Sequence, residues 1–239
     1  MAASSKRKRG STSATKRRKK PRYTKWTSAR ISNRDALQVQ TFTWGEDHAF
    51  NAGGRAILLT AFTRGSAENQ RKSQETITYK VSINLGVSAS ATVLKYCCKS
   101  QPLCWLVYDK CPTGITDLTP SDIFDVPSGL QNWPSTWKVK REASHRFVVK
   151  RRWPFTLSCN GSTFQKDYTN LPVCNTDNLV SVTRFAKGLG VRTEWKDTTT
   201  AEASDIKGGA LYLVVAPANG LVFTARGVIK VYFKSVGNQ

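Results

Sequence analysis

Two blocks of cations, Lys6-Arg7-Lys8-Arg9 and Lys16-Arg17-Arg18-Lys19-Lys20, are the residues whose types and spacing most plainly do chemistry. Arg22, Lys25, Arg30 and Arg34 extend the run, so the first 34 residues carry 13 Lys/Arg before Asp35, the first acid. Charge of one sign at this density calls for a polyanion, and a phosphate backbone is the usual one. Tyr23 and Trp26 stand among the later cations, and their faces can stack on unpaired bases at about 1–3 kcal/mol each. With all 13 charges on one single strand, the log-log salt dependence of binding would have a slope of about −9, from roughly 0.7 per charge. The same blocks, Lys6–Arg9 and Lys16–Lys20, also read as nuclear-import signals, and one arm can serve both roles at different times.

Catalytic chemistry finds little support. The six cysteines, Cys97, Cys98, Cys104, Cys111, Cys159 and Cys174, include no C-x-x-C pair, and the histidines, His48 and His145, are far apart. A zinc site from Cys97 or Cys98 with Cys104, Cys111 and a remote ligand matches no standard finger, so free buried thiols are the expectation, with no metal and no cofactor. Asp109, Asp117, Asp122 and Asp125 suggest a two-metal nuclease, but they fall in a turn-rich stretch where Asp closes turns and caps helices. A Cys98–His145 nucleophile pair has no support in spacing, and the phosphate-loop, zincin and nucleophile-elbow motifs are missing. The reading is a protein that is not an enzyme. The sequon at Asn160-Gly161-Ser162 reads as an Asn-Gly turn.

A second basic region runs from Trp137 through Lys138, Lys140 and Arg141 to Arg146–Trp153. Strict alternation would put Arg146, Val148, Lys150 and Arg152 on one strand face, and Phe147, Val149, Arg151 and Trp153 on the other. A ladder of Arg146, Lys150 and Arg152 is a poor arrangement unless an anion lies across it. It can instead be a solvated face, or an edge kept charged against sheet-to-sheet pairing. Nucleic acid and a neighbouring subunit are the functional alternatives, with Trp153 beside them as a stacking face.

The elements that must position these groups are strands. The chain is formally +21; beyond the arm, 24 basic residues against 16 acidic leave the body basic but mixed. A stretch as charged as the arm buries too little apolar surface to order itself, so residues 1–36 are expected to be largely disordered and 37–239 to form one domain. From Thr76 to Leu85 the period is two, with Ile77, Tyr79, Val81, Ile83 and Leu85 on one face. Further strands are expected at 37–44, 56–63, 88–96, 103–109, 137–142, 146–153, 179–185, 191–195, 210–216, 221–225 and 228–234, with turns at Gly45-Glu46-Asp47 and Pro112-Thr113-Gly114. Thr119-Pro120-Ser121-Asp122 reads as a short helix start. The uncharged stretch Gly208–Ala225 is broken by Pro217-Ala218-Asn219-Gly220, a turn between strands, and the N-terminus has no apolar signal region, so the expected protein is soluble and off the membrane. Strand number alone leaves a sandwich, a jelly roll or a barrel open.

The segments Trp105–Asp109, Trp133–Lys138, His145–Trp153, Gly188–Lys196 and Tyr232–Gln239, with the opening Ser5–Gly10, together resemble geminivirus coat proteins of the mastrevirus group. The resemblance implies an eight-stranded antiparallel jelly roll behind a basic arm. Many copies would form a T=1-type twinned, incomplete icosahedral virion around circular single-stranded DNA. It further implies passage of that DNA into and out of the host nucleus through host import machinery, spread with a viral movement protein, and recognition by an insect-vector receptor. The alternative is a cellular nucleic-acid-binding β-barrel protein with a basic extension.

Overall fold

In the computed structural model, which describes residues 37–89, 99–114, 118–127, 133–158, 179–218 and 222–236, the alternating stretch around Val81 lies inside one long strand. Chain order is β1 (Gln38–Phe50), β2 (Arg55–Leu58), β3 (Glu75–Ala89), β4 (Lys99–Ser100), β5 (Leu103–Asp109), a four-residue helix α1 (Pro120–Ile123) and β6 (Phe147–Pro154). Then come β7 (Leu157–Ser158), β8 (Leu179–Trp195), β9 (Ile206–Gly208), β10 (Ala210–Ala216) and β11 (Phe223–Val236). One sheet has the order β1-β11-β3-β8-β9, a second has β2-β10-β5-β6, and β4 pairs with β7. Setting aside the short β4, β7 and β9, eight antiparallel strands form two facing four-stranded layers, β1-β11-β3-β8 and β2-β10-β5-β6. That is a jelly roll.

The core fills the space between the layers: Val81, Ile83 and Leu85 from β3 and Ile229 and Val231 from β11 lie against Leu106, Leu211 and Leu213 of the second sheet. Stacked rings close it, Phe62 on Phe233 at 3.9 Å and Phe50 on Phe223 at 5.0 Å. β5 and β10 are near-continuous apolar runs, and such strands must be covered on both faces. The outer cover comes from residues 118–126 and 133–139, whose Phe124 and Trp137 pack on Trp105 at 4.8 and 5.7 Å. α1 starts there as expected: the Asp122 carboxylate accepts from the Thr119 backbone N–H at 2.8 Å and its hydroxyl at 2.7 Å, satisfying the helix start.

Several expectations are corrected. Residues 179–185 and 191–195 are one strand, β8, and 223–225 join 228–234 in β11. Ser88 belongs to β3, while 90–98 lie outside the described residues. Gly45-Glu46-Asp47 is no turn: β1 continues through it, with a register shift between Trp44 and His48. The strand expected at 56–63 ends at Leu58, where Thr60 turns in and its hydroxyl accepts from Leu211 N–H. Segment 137–142 is not a strand either, because after a single bridge from Val139 to Phe124 it enters turns. The β3 alternation reverses at a bulge on Tyr79, so Thr76 and Thr78 point into the core in place of Ile77 and Tyr79.

Candidate nucleic-acid interface

The outward face of the first sheet is built by the ladder β11-β3-β8, and residues directly opposite in a ladder share a face. One row reads Tyr232, Lys80, Lys187; the next reads Lys230, Ser82, Phe185. A third is Val228, Asn84, Thr183, and a fourth is Arg226, Gly86, Ser181. The segments 80–89, 179–190 and 223–236 contain no Asp or Glu at all, while Lys80, Lys187, Arg226, Lys230 and Lys234 supply cations to this face; Arg184, opposite buried Ile83, lies on the other face and donates to the Pro154 carbonyl. Within β11, β3 and β8 the carboxylates gather at the far end, where Arg192 pairs with Glu75 at 2.6 Å and approaches Glu194 at 3.7 Å, while β1 beyond β11 carries Glu46 and Asp47 in its sequence.

Lys80 lies directly across from Lys187, and opposed like charges cost stability in a sheet unless an anion spans them. Beside them Phe185 is 55% exposed, and among the described residues only Trp133 shares that standing as a large exposed apolar side chain. Cations interleaved with an open aromatic face form the surface a single strand uses, phosphates on the lysines and bases on the ring. β8 reaches this geometry through Gly188 and Gly190, whose φ values of +67° and +56° suit glycine and let Leu189 tuck inward between them.

The basic residues of β6 meet different fates. Arg146 donates from Nε and Nη2 to the Asp109 carboxylate at 2.9 and 2.7 Å, and that bond raises the Arg146 pKa above its ordinary value. Asp109 is fully buried and also accepts from Cys111 N–H at 3.1 Å, so it closes a turn and holds an ion pair. Lys150 is the extra residue of a bulge opposite Leu106 and Val107, which breaks the alternation and sends Arg152 to the face opposite Val148. The expected ladder of Arg146, Lys150 and Arg152 is therefore not formed. The Lys150 ammonium sits 5.2 Å over the Tyr108 ring, Arg152 donates to Ser135 carbonyl at 2.5 Å, and Trp153 is half-buried against the core. β6 is also the edge of its sheet, which matches the charged-edge alternative.

Arg151, placed by the alternation away from that ladder, donates to the Lys187 carbonyl at 3.1 Å and carries the edge charge to the lysine face. Sequence reasoning missed Lys80, Lys187, Lys230, Arg151 and Phe185 as a group. The polar alternation of residues 78–84 was the one available signal. The arm residues Lys6 through Arg34, with Tyr23 and Trp26, lie outside the described residues, as do Cys97, Cys98, Cys159, Cys174 and the sequon.

Two cysteines are described. Cys104 is buried, and burial pushes its thiol up to about 12; Cys111 is exposed, against the expectation of buried thiols. Seven residues of mostly extended chain put them roughly 20 Å apart, at about 3.3 Å per residue, too far to share a metal. Among the described residues no group of three His, Cys, Asp or Glu is placed to hold one, and no helix is long and apolar enough to cross a membrane.

A two-layer jelly roll of this strand order is an architecture that viral shell subunits use. The whole chain, residues 1–239, matches the model of the geminivirus coat protein/nuclear export factor BR1 family. It is 58% identical over 239 residues to the capsid protein of Chloris striate mosaic virus, covering 100% of this chain and 99% of that one. It is 45% identical over 211 residues to the capsid protein of Maize streak virus genotype D (isolate Raw), covering 86% and 85%. The genotype C (isolate Set) protein is likewise 45% identical over 209 residues, covering 85% and 84%. The chain belongs to the geminivirus coat protein family and is a capsid protein of its mastrevirus branch, a component of the virion. Among solved structures, VP1 of Trichodysplasia spinulosa-associated polyomavirus aligns at a TM-score of 0.21 and 12% identity, covering 85% of this chain and 100% of that one. So distant a likeness adds nothing to the fold, which rests on the strand order.

Proposed function

We propose that this capsid protein encloses circular single-stranded DNA in a twinned icosahedral shell, and that it holds the strand at two places. Residues 1–36 are the first: Lys6–Arg9, Lys16–Lys20, Arg22, Lys25, Arg30 and Arg34 neutralise phosphates, and Tyr23 and Trp26 stack on bases. The outward sheet face of the 37–239 body is the second. The observation that carries the reading is the direct opposition of Lys80 and Lys187 within the carboxylate-free stretches 80–89 and 179–190, an arrangement an anion stabilises. Phosphate contacts position without reading sequence, which suits a shell that must accept every stretch of a genome. Lys150, Arg152 and Trp153 lie on β6 of the second sheet, apart from this surface, whereas Arg146 is committed to Asp109.

The arm's two basic blocks also suit the proposal that the protein carries viral DNA into and out of the host nucleus through host import machinery. Spread with a viral movement protein and recognition by an insect-vector receptor belong to the same proposal. They rest on family membership, not on any residue described above. Deleting residues 1–22, which hold ten of the arm's 13 cations, tests the first place of contact. The log-log salt slope for single-stranded DNA should become shallower by up to about 7, from roughly 0.7 per lost charge, and nuclear accumulation should vanish while the body melts unchanged. Tight binding with an unaltered slope would overturn the assignment.

A further inference from the structure

We infer that a cavity beside Trp133 is a pocket for one unpaired nucleobase of the packaged strand, an inference that rests on the single-strand reading above. The cavity has a volume of about 160 Å³ and is lined by Lys99, Ser100, Gln101, Trp133, Pro134, Ser135 and Ala218. A cavity on the order of 150 Å³ takes one six-membered ring.

Three observations converge on a base. Trp133 is 57% exposed, although its backbone is fixed: its carbonyl accepts from Thr136 N–H at 2.9 Å and the Thr136 hydroxyl at 2.8 Å. A hydrogen-bonded turn thus presents an open indole, the best stacking surface among side chains. Ser100 is only 4% exposed, its register is set by pairing with Leu157, and its hydroxyl has no hydrogen-bond partner. A buried hydroxyl left unpaired is costly, and the polar edge of a base supplies the missing partner. The charge is also right, since among the described residues no carboxylate lines the cavity, Lys99 does, and Arg152 donates to the Ser135 carbonyl in its wall.

An apolar side chain from a second copy of this chain would also cover the indole. It would leave the Ser100 hydroxyl unsatisfied, which is why a base fits better. This pocket lies apart from the lysine face, with no lining residue in common.

The test uses the full chain and a single-stranded oligothymidine carrying 5-iodouracil, photocrosslinked and mapped by mass spectrometry. Adducts on both Trp133 and the arm aromatics Tyr23 or Trp26 are expected. Adducts on the arm alone overturn the pocket and leave the packaging reading standing; adducts on neither overturn both. Trp133→Ala should weaken oligothymidine binding fivefold or more with the salt slope unchanged, because the lost contact is stacking and not charge. Trp133→Phe should restore most of it, and Ser100→Ala should lose two- to threefold. The exposure of Trp133 keeps these variants folded, which unchanged melting will verify. If Trp133→Ala blocks particle formation while oligonucleotide affinity stays the same, the pocket receives a neighbouring copy and the inference falls.

Discussion

Replacing Arg146 by methionine separates a structural cation from a phosphate-facing one. The Asp109 side chain is 0% exposed and that of Arg146 is 20% exposed, with two charge-assisted bonds at 2.9 and 2.7 Å between them. Methionine keeps an apolar stem near Phe147, over whose ring the guanidinium now lies at 4.6 Å, but strands the carboxylate in the fold. Removing one partner of a buried ion pair costs about 3–5 kcal/mol, and the partial exposure of Arg146 argues for the lower end, near 3. For a body of this size each kcal/mol moves the midpoint by about 2–4 °C, so melting should fall by roughly 6–12 °C. The double variant Asp109→Asn with Arg146→Met should recover part of that loss, since the asparagine oxygen still accepts from Cys111 N–H and no charge is stranded. Calorimetry of the parent and the two variants gives the stabilities, and a salt titration at 20 °C gives the DNA slope, expected to match the parent. An Arg146→Met protein that melts normally while its slope becomes shallower by about 0.7 would refute the reasoning and return Arg146 to the DNA surface.

Lys187→Glu should raise stability by about 0.2–1 kcal/mol, because it faces Lys80 across the ladder, yet weaken single-strand binding; a stabilised variant with unimpaired binding would remove the sheet face from the interface. Iodoacetamide at pH 8 should modify exposed Cys111 and spare buried Cys104, whose thiol is pushed up to about 12, with both modified in urea, as peptide mass mapping will report. Trp105→Ala should cost about 3–5 kcal/mol in chemical denaturation, because the 2%-exposed ring fills the space between Phe124 and Trp137.

The class of fold was legible where local chemistry decides it. The apolar runs of β5 and β10 have one stable use, and the Thr119-Pro120-Ser121-Asp122 signal produced the helix it promised. The bulges were not legible. An extra residue at Tyr79 or Lys150 carries no compositional mark, yet each reverses which side chains face inward. For that reason Ile77 and Arg152 were assigned to the wrong faces. Arg71 was hidden for another reason: in a polar loop its type implies solvent, but it is fully buried over Trp195 at 4.6 Å, its Nε donating to Phe62 carbonyl at 3.0 Å. Desolvation accordingly lowers its pKa.

The candidate site divides in the same way. The arm's charge could be read from thirty-four consecutive residues. The lysine face could not, because Lys80, Lys187 and Lys230 come from strands more than a hundred residues apart and from β11 at the other end of the chain, and only the ladder brings them into adjacent rows. Pairwise register of this kind is a tertiary property, selected by core packing on the opposite face of the same strands.

Electron microscopy of the purified full chain mixed with circular single-stranded DNA tests the central claim most directly. Paired, incomplete icosahedra with DNA inside are expected, formed at moderate salt and lost as salt rises. Particles that form equally well without the nucleic acid and hold none when it is present would contradict it.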